Sequence, residues 1–168
     1  AGSRLLQLVD QITNSENHAT NVTALHLTSG ADVSIQEAKI FEKEGFVPIL
    51  QTAKDLSLEI KTQYKVSNNV NREIVNFANK GRFNLMFVGS SRSMFSNNET
   101  GGRAKYFFDD VKCTVGVLVD RGFQKINHML IIIDKPSDLF LCNLGKQFLL
   151  KPDSVVTIWD QQNHLQKN

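Results

Sequence analysis

Hydrophobic positions along the chain repeat with two different periods, which predicts that helices and strands alternate. Apolar residues spaced by three and four are typical of a helix that buries one face, and short apolar runs between polar or glycine residues are typical of strands. The predicted strands are residues 22–27, 58–66, 85–88, 114–119, 129–133 and 155–159. The predicted helices are residues 5–12, 34–44, 46–56, 70–78, 107–111 and 139–149.

Several helix boundaries depend on single residues. Gly45 is predicted to separate a weaker helix from a firmer one, which would carry Pro48 in its first turn, where no amide hydrogen is needed. Ser67 or Asn68 is predicted to cap the helix over residues 70–78, and Gly81 is predicted to end it.

The alternation of strands and helices restricts the topology. A strand, a helix and a second strand in succession almost always form a right-handed crossover between parallel strands. The pattern therefore predicts an α/β protein, a three-layer sandwich with a mostly parallel, Rossmann-like sheet. Because helices cover a central parallel strand on both faces, Val115, Val117 and Val119 should be as buried as Leu118.

Residues 83–122 are the part of the chain where we expect a ligand site. The strand at 85–88 leads through Gly89 into a loop rich in glycine, serine and asparagine, and a short helix and the strand at 114–119 follow. Ligands of open α/β sheets bind at the carboxyl ends of parallel strands, where a glycine lets backbone N–H groups approach a phosphate.

Charge and composition exclude several classes of protein. The chain has 168 residues, and its 19 basic and 17 acidic residues are scattered, with a net charge of +2. This pattern lacks the basic patch that nucleic acid binding needs. No apolar run approaches the roughly 20 residues that span a bilayer. Cys113 and Cys142 lack metal-ligand spacing, which favours buried, reduced thiols in a cytosolic setting.

No pattern of polar side chains predicts catalysis. The four histidines are scattered, without a carboxylate or thiol at metal-ligand spacing. Asp109 and Asp110 are interpreted as acids that face water on a short helix. Ser90, Ser91 and Ser93 have no histidine and aspartate in a recognisable arrangement. We therefore predict no catalytic residue, no metal site and no enzyme.

The order of elements resembles the universal-stress-protein fold. The resemblance is carried by the strand at 58–66, the helix at 70–78, the strand that ends in Val88-Gly89, the polar loop and the phrase CTVGVLVDRG at 113–122. That phrase is similar to one in the cytosolic tails of fungal K+/H+ antiporters and plant cation/H+ exchangers, members of the cation/proton antiporter-2 family.

The resemblance implies a division of the chain into two repeats. Residues 1–123 would form a stress-protein-like unit that lacks its first strand, and residues 124–168 would form a partial second strand-helix-strand unit packed on the first. The strand at 129–133 is a candidate to fill the vacant position in the first sheet.

The resemblance also implies a position for a nucleotide loop, and this chain departs from its pattern. Nucleotide-binding stress proteins have a glycine, two residues, a glycine, nine residues, a glycine and then Ser or Thr. Gly89 and Gly102 match the first and third glycines, whereas Arg92 replaces the second and Arg103 replaces the hydroxyl residue. These four residues and Ser90 are the candidate binding residues. They form either a loop without a ligand or a degenerate phosphate site.

A member of this family is expected to be a non-enzymatic cytosolic regulatory domain of a K+/H+ antiporter, without a cofactor. Its partner would be the transmembrane antiporter domain of the same parent chain, at the cytosolic face of an organelle membrane. The alternative function is a nucleotide-binding universal stress protein.

The strand at 114–119 also predicts a homodimer. An apolar strand without proline or charge needs a cover if it lies at a sheet edge. A second copy would supply one in a two-fold dimer, and the strands at 129–133 or 155–159 are the alternative covers. The link from Asp120 to Asn127 is too short for a helical crossover to the strand at 129–133, which favours the homodimer.

Overall fold

Helices and parallel strands alternate in the computed structural model, which describes residues 2–13, 20–30, 34–89, 102–122 and 125–166. The helices are α1 (Gly2–Thr13), α2 (Ile35–Asp55), α3 (Val70–Gly81), α4 (Gly102–Asp110) and α5 (Leu141–Phe148). The strands are β1 (Val22–Thr28), β2 (Ile60–Val66), β3 (Leu85–Gly89), β4 (Thr114–Leu118), β5 (His128–Ile133) and β6 (Val155–Asp160). Short 3-10 helices span Pro136–Phe140 and His164–Gln166. None of the helices described is long and apolar enough to cross a bilayer.

All pairs of described strands are parallel. β1 pairs with β2, β3 with β4 and β5 with β6, and each pair forms a sheet of its own among the described residues. Each pair is joined through a helix, which is the crossover that the sequence pattern predicts. The predicted α/β class with parallel, Rossmann-like strand pairing is confirmed.

The chain divides into two compact units. Unit 1 comprises Ala1–Leu6 and Asn21–Arg121, and unit 2 comprises Gln7–Thr20 and Gly122–Asn168. β5 belongs to unit 2 and forms its sheet with β6, because α5 returns the chain alongside it. The expectation that the strand at 129–133 fills a vacant position in the first sheet is therefore wrong.

Helices lie on both faces of the strands of unit 1. On one face, α2 approaches β1, where a Cβ built on Gly45 would lie 3.0 Å from the ring of His26. On the other face, α3 and α4 share a buried cluster with one side of β3 and β4. The cluster contains Val75, Ala78, Phe107 and Val111, packed against Met86, Val88, Cys113, Val115 and Val117. The three layers expected of an α/β sandwich are thus present in this unit.

The helix α2 corrects the prediction of a break at Gly45. Its start is fixed by a capping box, in which Ser34 Oγ accepts a bond from the Glu37 amide at 3.2 Å and Glu37 Oε2 accepts one from the Ser34 amide at 2.9 Å. From there one continuous helix of 21 residues passes through both Gly45 and Pro48. The glycine serves close packing against His26, and Pro48 lies inside the helix rather than in its first turn.

The cap of α3 is Asn69, so the prediction of Ser67 or Asn68 is wrong by one or two positions. Asn69 Oδ1 accepts a bond from the Arg72 amide at 3.0 Å, while Ser67 Oγ accepts one from the Asn69 amide at 3.1 Å. The helix ends at Gly81, as predicted, and the left-handed residue that closes it is the next one.

Unit 2 has a helix on one face of its strand pair. Phe148 of α5 is 0% exposed, and Ile133 and Ile131 of β5 are 1% and 5% exposed. A Cβ on Gly145 would lie 2.7 Å from Ile131, so the glycine allows α5 to approach the sheet closely. The alternate residues of the strands are exposed, including Ile132 at 57% and Trp159 at 60%.

Burial along β4 differs from the prediction at one residue. Val115, Val117 and Leu118 are all half-buried, which agrees with the prediction for these three residues. Val119 is 49% exposed, because the strand already ends at Leu118. The prediction that Val119 is as buried as Leu118 is therefore wrong.

Candidate functional site

The carboxyl ends of β3 and β4 lie side by side at the candidate phosphate site. Gly89 is the last residue of β3 and pairs with Leu118, the last residue of β4. Gly102 is the first residue of α4, and Arg103 follows it in the same helix. Ser90 and Arg92 lie outside the described residues. The structure thus places the backbone at both ends of the predicted loop, and a phosphate contact remains a prediction.

Gly116 of β4 is required by packing. A Cβ built on this residue would lie 2.3 Å from Cε1 of Phe87, which is its partner in the parallel register. The Phe87 ring therefore occupies the space that any larger residue would need. Because Gly116 stands inside the phrase Cys113–Gly122, at least part of that phrase is explained by the structure of the strand.

Asn79 connects α3 to the turn between α4 and β4. Its Nδ2 donates to the Asp110 carbonyl at 3.0 Å, and its Oδ1 accepts from the Lys112 amide at 2.8 Å. One side chain thus satisfies two backbone groups that the end of α4 leaves without helical partners. This bridge fixes the point from which the strand β4 begins.

The end of β4 is held by an ion pair to α1. Arg4 Nε lies 3.6 Å from Asp120 Oδ2, and both side chains are about one-third exposed. Two residues later Gly122 has a φ of 87°, in the left-handed region that glycine tolerates best. The polar residues after β4 therefore form a turn with a structural ion pair.

Cys113 lies at the base of β4 and packs against the buried cluster of unit 1. Burial raises the pKa of its thiol, so the nucleophilic thiolate is disfavoured. Cys113 and Cys142 are both free thiols and both half-buried. The prediction that both thiols are buried is therefore met only in part, and their reduced state stays a prediction.

A second group of polar and aromatic side chains lies near the carboxyl ends of β1 and β2. The ring of His26 stacks on Tyr64 with centroids 5.7 Å apart and meets the edge of Phe46 at 5.9 Å. Tyr64 Oη donates to Thr28 Oγ1 at 2.8 Å. Sequence reasoning treated His26 as an isolated histidine, and only the register that pairs it with Tyr64 brings the group together.

No cluster of three or more His, Cys, Asp or Glu side chains that could hold a metal ion occurs among the described residues. The described side chains around β3 and β4 supply packing, hydrogen bonds to the backbone and the ion pair of Arg4 with Asp120.

Comparison with known proteins gives no further identification. No family model, curated protein or solved structure matches the chain. The argument for function therefore depends on the residues and the geometry described above.

Proposed function

We propose that this chain is a non-enzymatic regulatory domain of a monovalent cation (K+)/proton antiporter. The observation that supports the proposal most directly is the phrase Cys113–Gly122, which resembles the cytosolic tails of such transporters. Its residues form β4 and the turn after it, where Gly116 accommodates Phe87 and Val117 packs on the buried cluster. Residues of the phrase thus serve packing, as we expect in a domain that acts through its conformation and its contacts.

The proposal includes two partners. One is the transmembrane antiporter domain of the same parent chain, which would place this domain at the cytosolic face of an organelle membrane. The other is a second copy of the domain. Among the described residues β4 pairs with β3 alone, and its five residues are apolar or Thr and half-buried. The other edge of β4 is thus suited to a symmetric contact.

A charged residue beside the free edge of β4 tests whether the domain forms the proposed dimer. The wild-type chain is expected to sediment at tens of micromolar with twice its 18.9 kDa mass. Val119→Lys should sediment as a monomer, because Val119 directly follows the last residue of β4 and a lysine beside a strand edge blocks edge-to-edge contact. In vesicles that contain the parent antiporter, the same substitution should change the pH dependence of K+/H+ exchange while exchange itself continues.

The control is Val155→Lys, since Val155 is similarly exposed at 46% but lies in unit 2. This variant should remain dimeric. A monomeric wild-type chain would contradict the dimer, and unchanged exchange in both variants of the parent protein would contradict the regulatory role.

A nucleotide-binding stress protein is the second candidate. The observation that favours it is the placement of Gly89 at the carboxyl end of β3 and of Gly102 at the start of α4, the two places where the stress-protein pattern has glycines. Against it stand Arg92 and Arg103, which replace the second glycine and the hydroxyl residue of the pattern.

Calorimetric titration with ATP, ADP and AMP separates the two candidates. We expect no saturable heat at micromolar nucleotide, because two of the four positions of the pattern are changed. A thermal shift offers a second measurement, since a ligand at 100 times its dissociation constant stabilises a protein by about 2.7 kcal/mol. Micromolar ATP affinity that disappears in Gly89→Val would place the stress-protein function first.

A further inference from the structure

One face of the β5–β6 pair is apolar and exposed. Ile131 and Ile133 are buried, and a Cβ on Gly145 of α5 would lie against Ile131, so α5 packs on the face to which these residues point. Successive residues of a strand point to opposite faces, and the parallel register places Ile132 beside Trp159. The other face, which we call the Trp159 face, carries four large apolar side chains that are each about half exposed: Leu130, Ile132, Val155 and Trp159.

The helix α1 contacts unit 2 away from the Trp159 face. Lys151 Nζ donates to the Asp10 carbonyl at 2.9 Å, and Gln11 Oε1 accepts from the Ile126 amide at 3.2 Å. These contacts lie after α5 and before β5, and the exposure of the four apolar side chains shows that α1 does not cover them. Because parallel strands normally have helices on both faces, the Trp159 face is suited to a helix.

The helix α2 has apolar residues on two of its sides. On the side that faces the strands of unit 1, Phe46 and Ala53 are buried. On another side, Ile40, Val47 and Leu50 are each about half exposed. Their spacing of seven and three residues places them in one stripe along the helix. Unit 1 thus has a helix with an apolar stripe that its own strands do not bury.

We propose that α2 of a second copy of the chain packs on the Trp159 face, so that copies associate head to tail. From Ile40 to Leu50 the stripe is about 15 Å long at 1.5 Å per residue. The six residues of each strand of unit 2 extend over about 20 Å. A helix with its side chains is about 10 Å wide, which is enough to cover two neighbouring strands. The two surfaces therefore agree in shape and size.

The charges around the two surfaces favour the same pairing. Lys43 and Lys54 lie in the stripe with the three apolar residues of α2, and both are exposed. Asp134 follows β5 directly and Asp153 precedes β6 by two residues, so these exposed acids stand near opposite corners of the Trp159 face. Lys135 lies beside Asp134, so the charges contribute less than the apolar contact. Opposite charges at the rim favour a helix with lysines over one with acids.

The small area predicts a weak contact. Three side chains of α2 and four of the Trp159 face are each about half exposed, so one contact buries less than the roughly 1,200 Å² of a stable interface. We expect a dissociation constant on the order of hundreds of micromolar. At tens of micromolar the proposed dimer through β4 is therefore unaffected by Val155→Lys. This inference is independent of the proposed transport function.

The fluorescence of Trp159 tests the proposal, because it is the single tryptophan of the chain and lies on the face. The measurements use the Val119→Lys chain, in which the edge of β4 is blocked. Between tens and hundreds of micromolar, its emission should shift to shorter wavelength and acrylamide should quench it less, while the sedimentation coefficient rises. Val47→Lys in this chain should weaken association by about tenfold or more, because the contact would bury a lysine without a partner.

Phe41→Lys is the matched control on the same helix. Phe41 is 39% exposed and follows Ile40, which places it about 100° around the helix from that residue and outside the stripe. The control adds the same charge to α2 as Val47→Lys. It should associate like the Val119→Lys chain.

Complementary variants test whether the contact joins two different surfaces. In the Val119→Lys chain, Val47→Lys blocks α2 and leaves the Trp159 face free, whereas Ile132→Lys blocks the face and leaves α2 free. Each variant alone should stay monomeric at hundreds of micromolar. Their mixture should form a 1:1 complex with twice the 18.9 kDa mass of the chain. Both positions are exposed, so the circular dichroism of each variant should equal that of the Val119→Lys chain.

Four results would overturn the inference. Trp159 emission that does not change with concentration would show that no second copy occupies the face. A shift that survives Val47→Lys would show that another surface covers Trp159. Equal weakening by Phe41→Lys would assign the effect to charge alone, and a mixture without a complex would show that the contact is not head to tail. If either lysine variant unfolds, Leu50→Lys or Leu130→Lys replaces it and decides by the same criteria.

Discussion

Val117→Asp is expected to abolish the cooperative unfolding transition of unit 1. Val117 packs against a cluster in which Phe107 is 3% and Ala78 is 4% exposed. A carboxylate in this position loses much of its hydration, at a cost of several kcal/mol. Domains of this size are stable by only about 5–15 kcal/mol, so unit 1 should be largely unfolded or molten in the variant.

Val119→Asp is the matched control, because it introduces the same charge two residues later. Val119 lies beyond the end of β4 and is 49% exposed, so the carboxylate stays hydrated. At a protein concentration low enough to keep both chains monomeric, the control should change the free energy of unfolding by no more than about 0.5 kcal/mol. Urea denaturation followed by circular dichroism measures both variants. A cooperative Val117→Asp transition with the wild-type midpoint would show that α3 and α4 do not cover this side of β4.

The alternation of helices and parallel strands could be predicted from the sequence because it depends on local patterns. Short apolar runs between amphipathic segments leave few topologies, and right-handed crossovers are the common one. The runs at 85–88 and 129–133 became β3 and β5 with boundaries shifted by one residue. Pairing within each crossover follows from the same rule, since the helix returns the chain alongside the strand it left.

Predictions from local sequence signals are wrong where tertiary contacts determine the structure. Gly45 was expected to end a helix, yet the ring of His26 lies where a side chain would be, so the glycine serves close packing. The stronger signal was the spacing of Ser34 and Glu37, which is the pattern of a capping box. The predicted start at residue 34 lies within one residue of the observed start at Ile35, so the error concerns the break at Gly45 and the place of Pro48.

The local pattern of hydrophobic and polar residues does not determine the register or the order of the strands. His26 and Tyr64 come together only because β1 and β2 pair with one particular register, and sequence spacing contains no information on that register. At the candidate phosphate site, the sequence identified Gly89 and Gly102 as the two ends of a loop, while Ser90 and Arg92 lie outside the described residues.

Phe148→Ala is expected to destabilise unit 2 by about 3–5 kcal/mol, the range for removal of a buried phenylalanine. Phe148 is 0% exposed and belongs to α5, the helix that connects β5 to β6, where Ile133 is 1% exposed. The cavity should not collapse, because α5 already packs so closely on the sheet that a Cβ built on Gly145 would lie 2.7 Å from Cδ1 of Ile131. Hydrogen exchange of the β5 and β6 amides should accelerate by two to three orders of magnitude, which is about 3–4 kcal/mol at 1.4 kcal/mol per factor of ten.

Phe140→Ala is the matched control, because it removes the same phenyl ring from an exposed position. Phe140 lies in the 3-10 helix just before α5 and is 42% exposed, so its removal leaves little cavity and should cost less than half as much. The amides of β3 and β4 report on unit 1 in the same experiment and should change little in either variant, since their buried cluster contains neither residue. Equal acceleration in the two variants would mean that α5 does not supply the core of unit 2. Acceleration in β3 and β4 as large as that in β5 and β6 would mean that the two units unfold as one.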